Sequence, residues 1–189
     1  MTRTPGQLRG ELVRAAAALL ERTGAIEAVT LRAVAREAGV SAPAVYGHFA
    51  DLEALLDAVV DEGFDRLAAA IAEAVAPLAD PGERLVAGCR AYVDTGLAAP
   101  ARYRAMFGPR RARGTEAFGL LVDGVRACVA AGRSDSTDPA ADAGLLWTAL
   151  HGLVTLRAAA PDAAPDLDGQ VRALAARLAG VSGIGDGSA

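Results

Sequence analysis

The 189-residue chain contains no lysine, only two histidines and two cysteines, and aromatic side chains make up just 4% of it. Cys89 and Cys128 are too few for a disulfide framework or a four-ligand zinc site. Both lie among apolar neighbours at helical spacing, where they read as small buried hydrophobes in preference to a redox switch. No glycine-rich phosphate loop or His-Glu metal pattern occurs, and the serines cluster near residues 41, 134 and the C-terminal tail. Catalysis is therefore not expected, and neither a metal nor a cofactor is implied. No apolar run is long enough to cross a bilayer, and the start Met1-Thr2-Arg3-Thr4-Pro5-Gly6-Gln7 lacks the apolar segment of a signal peptide. A cytoplasmic protein with no membrane partner is the expectation. Alternating β-branched runs are missing too, whereas alanine dominates a composition that is 52% hydrophobic. Those two facts together favour an all-α fold.

The net charge of −4 is unevenly divided. Residues 1–50 hold six arginines against four glutamates, a local +2, which leaves −6 for the remainder. A mildly basic head on an acidic body allows contact with a polyanion at one end only, because like charge elsewhere repels phosphates. Every basic residue is Arg, a side chain suited to bidentate bonds with phosphate and guanine.

The segment Thr30–Phe49, TLRAVAREAGVSAPAVYGHF, encodes two short helices and a tight turn. Leu31, Val34, Ala35 and Ala38 share one face by three-and-four spacing and leave Arg32, Arg36 and Glu37 outside. Gly39 sits where a helix ends in a left-handed conformation, and Val40 follows as a buried plug between steeply crossing helices. Ser41 is placed to cap the second helix, Pro43 fits its first turn, and Val45 and Phe49 return to the core. Ala35 must stay small for the two helices to approach. The pattern predicts a helix-turn-helix that reads double-stranded DNA. Thr30 caps the first helix and can present its amide end to a phosphate. Ser41, Ala42 and Ala44 are small enough for the second helix to lie deep in a major groove, but carry little base information beyond contact with a thymine methyl.

Ala35 to Val40, followed by Tyr46-Gly47-His48-Phe49 and a leucine-rich helix, resembles the N-terminal domain of TetR-type transcriptional repressors over about the first 65 residues. Leu52 departs from the pattern, since many relatives carry a lysine there that contacts a phosphate. Tyr46 reads either as a packing residue or as a DNA contact, and the resemblance favours a hydroxyl bonded to a DNA phosphate, while His48 stays open between a DNA contact and a helix cap. The DNA-binding set is thus Thr30, Arg32, Ser41, Ala42, Pro43, Ala44, Tyr46 and His48.

Around this motif, a first helix is expected from Gln7 to about Arg22, with Gly24 as its stop. Asp51 caps a fourth helix reaching Pro77, roughly 39 Å long at the standard rise. Asp80-Pro81-Gly82-Glu83 opens a fifth, a short sixth covers Ala101 to Phe107, and a seventh follows the Arg110, Arg111 and Arg113 loop. Asp138-Pro139 starts an eighth helix that is apolar nearly all round, and a ninth follows the 161–165 loop. An all-apolar helix needs cover on two sides, so helices eight and nine are expected to pair with a second copy as a homodimer. The expected domains are 1–50, the DNA-binding head; 51–180, the effector-binding and dimerisation body; and 181–189, a disordered Gly/Ser-rich tail.

Within the body, Pro100-Ala101-Arg102-Tyr103-Arg104-Ala105-Met106-Phe107-Gly108, with Trp147, His151 and Gly152 later, is similar to the C-terminal effector domains of TetR-like regulators named for a Trp-His-Gly signature. That resemblance implies a cavity for a small-molecule effector within each subunit. Phe64, Tyr92, Met106, Phe107, Phe118, Trp147 and His151 are its candidate lining, although an ordinary core would use the same residues and His151 suits either reading. The expected function is a repressor released from its operator by an apolar or aromatic effector. A ligand-independent architectural DNA binder is the alternative, and an enzyme on a helical scaffold is a more distant one.

Overall fold

The computed structural model describes residues 5–108, 114–160 and 166–184. The Arg110, Arg111 and Arg113 loop and the 161–165 connection lie outside the described residues. Among the described residues the fold is all-α, with a single isolated β-bridge between Ser134 and Val181. The helices are α1 (Pro5–Thr23), α2 (Leu31–Glu37), α3 (Ala42–Tyr46), α4 (Leu52–Val75), α5 (Pro81–Ala98), α6 (Pro100–Met106), α7 (Gly114–Ala130), α8 (Pro139–Ala159) and α9 (Leu167–Leu178), and a 3-10 turn, Ile26–Ala28, precedes α2. They fall into two compact units, Met1–Asp65 with Ala99–Ala112, and Arg66–Ala98 with Arg113–Ala189. The first therefore takes in more than the 50-residue head expected from sequence. It includes α6, which the chain order sets among helices of the second unit.

In the first unit, Leu12, Ala16, Leu19 and Leu20 of α1 meet Val34, Ala35, Val45, Phe49, Leu55 and Val59 in one buried cluster. Local chemistry fixes the ends of these helices. Gly24 leaves α1 at φ 68° and Gly39 leaves α2 at φ 64°, backbone conformations that favour glycine. The Thr30 hydroxyl oxygen accepts a 3.1 Å bond from the Ala33 N–H. Val40 N–H bonds Ala35 O at 2.9 Å and Gly39 N–H bonds Arg36 O at 3.2 Å, the paired closure of a Schellman turn. Two expectations change at this turn. Val40 is half-buried instead of a sealed plug, and Ser41 holds the N-cap position of α3 without a side-chain cap bond. The helix starts on main-chain bonding instead, Ala44 N–H to Ser41 O at 3.0 Å.

Helix α6 joins this unit through side chains distant in sequence. The Glu21 carboxylate accepts the Ala101 and Arg102 N–H groups at 3.2 and 2.7 Å, and Arg104 donates to Gly24 O at 3.2 Å. Gly63 leaves room for Met106, whose sulfur would lie 2.7 Å from a Cβ at that position. Phe107 packs edge-on to Phe64 at 5.6 Å and against Tyr103 at 4.7 Å between ring centroids.

In the second unit, Leu85, Val93, Val125, Leu146, Leu150, Val154 and Val171 are buried. Asp80, Asp138 and Asp166 cap α5, α8 and α9 through bonds from Glu83, Ala141 and Gly169 N–H. Residues 181–184, expected to be part of a disordered tail, are tied down, while 185–189 lie outside the described residues. Val181 is only 4% exposed, Ser182 N–H bonds Arg133 O at 2.9 Å, and Arg133 donates to Gly183 O at 3.1 Å. Burial of one valine and a clamp of hydrogen bonds outweigh the Gly/Ser composition of this stretch.

That clamp gives a pH prediction. Arg133 Nε also pairs with Asp80 at 2.9 Å. The backbone N–H of Glu83, followed by Arg133, holds the Asp80 carboxyl below its usual range. A folded-state pKa below the unfolded one contributes stability above the unfolded value of about 4, and that contribution disappears as pH falls through the folded value. Asp80→Asn is expected to melt lower than the native protein at pH 7, with the difference closing as pH falls below about 4. Thermal melts across that range check it.

Candidate functional site

Helices α2 and α3 and the residues that flank them carry the candidate DNA-binding side chains. Thr30, Arg32, Ser41, Pro43 and Tyr46 are exposed, and Ala42, Ala44 and His48 are half-buried. Tyr46 is 60% exposed, too open for a core packing residue. Buried Val45 and Phe49 alternate with these positions and hold α3 against the core. The result is a short helix with small residues on its outer side, a tyrosine at its end, and the amide end of α2 beside Arg32. Such an edge can enter a groove and bond to flanking phosphates. Arg22 and Glu37 form a bidentate pair at 3.1 and 2.8 Å, which holds the Glu37 carboxyl low and joins the end of α1 to the end of α2. As an exposed pair it contributes little stability, so its consequence is orientation.

The second unit contains a cavity of about 290 Å³. Its apolar wall includes Ile71 and Val75 of α4, Leu85, Cys89 and Tyr92 of α5, Leu120 and Leu121 of α7, and Trp147 and Leu150 of α8. This volume sits at the small end of the range for small-molecule sites. Trp147 Nε1–H donates to the Tyr92 hydroxyl oxygen at 3.2 Å, and Phe118 packs on Trp147 with ring centroids 5.6 Å apart. Burial pushes the Cys89 thiol up to about 12, so it remains neutral and acts as wall. Arg84 also borders the space, and its Nη1 donates to Val75 O and Leu78 O at 2.9 and 3.0 Å. Among the described residues no group of His, Cys, Asp or Glu could hold a metal ion.

Of the aromatic and methionine residues singled out in the sequence, Tyr92 and Trp147 border the cavity and Phe118 buttresses the indole. Phe64, Met106 and Phe107 instead cluster in the first unit. His151 lies half-buried on α8, one turn from Trp147, and burial lowers its pKa. Sequence reasoning missed Gly88 and Gly124. Both border the cavity from within helices, where glycine costs roughly 1 kcal/mol relative to alanine. A Cβ at Gly124 would lie 3.0 Å from Leu85 Cδ1. Two helical glycines on facing helices were the available signal.

The chain matches the family described as bacterial regulatory proteins, tetR family, over residues 12–59, and the tetracyclin repressor-like C-terminal domain over residues 85–181. It is 38% identical over 88 residues to the HTH-type transcriptional repressor KstR2 of Mycobacterium tuberculosis, a match covering 45% of this chain and 44% of that repressor. The chain thus spans less than half the length of the curated relative it matches. A protein of unknown function from Rhodococcus sp. RHA1 is similar along nearly the whole length, with 32% identity, a TM-score of 0.82, and coverage of 96% of this chain and 100% of that one. A tetR-family regulatory protein from Rhodococcus RHA1 shares the fold at 24% identity and a TM-score of 0.68, covering 92% of this chain and 95% of its own. No helix among the described residues is long and apolar enough to cross a membrane. With its C-terminal match spanning more than half of the sequence and the helix-turn-helix matched as well, the chain belongs to the tetR family of bacterial regulatory proteins.

Proposed function

We propose that this protein is a homodimeric, sequence-specific DNA-binding repressor, released from its operator by a small apolar or aromatic molecule that enters the cavity of the second unit. The observation carrying this reading is the presence in one chain of an exposed helix-turn-helix edge and a separate, ligand-sized apolar cavity. An architectural DNA binder would need only the first. The name of the KstR2 repressor supports the sign of regulation. Of the candidate effector contacts, Tyr92 and Trp147 are supported by their position, with Phe118 behind the indole. Helix α4 carries Leu55 and Val59 in the head cluster and Ile71 and Val75 in the cavity wall, so a single helix can transmit a ligand-dependent change. The physical requirement is differential affinity. An effector that prefers the arrangement misfitting DNA weakens operator binding, and operator weakens effector binding by the same factor.

Trp147 is the only tryptophan, so its fluorescence reports occupancy of the cavity directly. Titration with naphthalene as an apolar aromatic probe is expected to quench it saturably. Gly88→Leu should fill the cavity and abolish that quenching while the protein still melts cooperatively, because a Cβ at Gly88 meets only ordinary contacts at 3.6 Å from Ile71 and Val75. Undiminished quenching in a well-folded Gly88→Leu protein would put the binding site elsewhere.

A further inference from the structure

We propose that Arg9 is a DNA phosphate ligand, held in place by the ring of Phe49 at the far end of the reading helix. This inference rests on the DNA-binding reading above. Arg32 is the only formal cation in the contact set read from the sequence, and a single cation leaves most of the phosphate charge around a bound head unanswered. Arg9 is exposed on α1, and its guanidinium carbon lies 5.0 Å from the centroid of the Phe49 ring. The ring itself is fixed. Phe49 is 3% exposed, its N–H bonds Val45 O at 3.0 Å, and the neighbouring His48 N–H bonds the same oxygen at 2.9 Å, which wraps the turn onto the end of α3. Tyr46, three residues earlier, is the exposed tyrosine of that helix end. The cation–π contact therefore holds a positive charge beside the end of α3, on a platform as rigid as the core.

The kind of partner matters as much as its position. A carboxylate draws the guanidinium N–H groups into fixed, charge-assisted bonds, as Glu37 does to Arg22 at 3.1 and 2.8 Å in the same unit. An aromatic face attracts the charge through its quadrupole and does not neutralise it. A guanidinium held this way keeps its formal charge and its planar set of donors for a phosphate, to which arginine bonds bidentately. No base information comes from such a contact, because phosphates are the same in every sequence.

The test uses the full chain and compares native protein, Arg9→Ala and Arg9→Lys on two duplexes, one selected by the native protein from a random pool and one of unselected sequence, over a range of salt. Arg9→Ala is expected to weaken binding to both duplexes by a similar factor and to reduce the slope of log affinity against log salt by about two, one for each head of the bound dimer. Its deficit relative to native should shrink by roughly tenfold between 50 and 200 mM salt. Arg9→Lys should retain the native slope, because it retains the charge. An Arg9→Ala protein with the native slope overturns the proposal, including one that melts lower, since a purely structural role changes melting and leaves the counterion count alone. If the native protein does not prefer its selected duplex, sequence-specific reading fails while the slope comparison on unselected DNA still decides the role of Arg9. A native protein that binds neither duplex overturns both.

Discussion

A protein carrying Tyr46→Ala together with Arg32→Ala is expected to bind its operator about 100-fold or more weakly at matched salt while melting close to the native temperature. Both side chains stand on the exposed edge of the two-helix unit, with Tyr46 60% exposed, so truncation removes little buried surface. Substitutions at such surface positions usually change stability by less than about 0.5 kcal/mol. Each side chain is proposed to bond a phosphate or a base edge, and loss of one good contact typically costs on the order of 1 to 3 kcal/mol of binding. Quantitative DNA binding and thermal melting of the same preparations check this. Operator affinity within a few-fold of native would remove these residues from the interface.

The second large effect is expected at α8. Leu145 and Leu156 are 57% and 72% exposed, and a Cβ at Gly152 between them would meet nothing within 4 Å. Residues 145, 149, 152 and 156 recur at four-three-four spacing and form a stripe of leucine, alanine, glycine and leucine along one side of the helix. Opposite them, Ala143, Leu146, Leu150 and Val154 are buried in the unit's own core. We therefore expect the exposed stripe to be the seam of an isologous dimer, with α9 beside it. Leu156→Glu places a charge on that seam at a site whose exposure spares the fold. The variant should sediment as a monomer at micromolar concentration, where the native chain is expected to be a dimer. Operator affinity should fall by about 100-fold or more, because two linked heads bind neighbouring half-sites with a high effective concentration and two separate heads do not. Native protein that is itself monomeric at micromolar concentration would remove the basis for this expectation.

Most helix boundaries were legible because they are set by local chemistry. Asp51, Asp80 and Asp138 each accept a backbone N–H three residues ahead, and Gly24 and Gly39 end helices in the left-handed region. The helix-turn-helix was legible for the same reason, since Thr30, Ala35, Gly39, Pro43 and Val45 act within a few residues of one another. Features that depend on distant partners were not. The bonds from Ala101 and Arg102 to Glu21, about 80 residues away, have no local signature, and they help place α6 with the first unit. The cavity wall was only partly readable. Bulk alone singles out aromatic and methionine side chains, and it groups Phe64, Met106 and Phe107 of one unit with Tyr92, Phe118 and Trp147 of the other. Space in a helical bundle is made equally by side chains that are absent, as at Gly88 and Gly124. The order of residues 181–184 arises from a clamp with Arg133, which composition alone does not reveal.

The most direct test of the central claim is selection of duplexes from a random-sequence pool by the full chain at near-physiological salt, followed by sequencing of what is bound. The account predicts enrichment of a near-palindrome whose half-sites are spaced by about one helical turn or a multiple of it, bound roughly 1,000-fold or more tightly than unselected DNA. A pool that remains random through successive rounds, with equal affinity for selected and unselected duplexes, would contradict it.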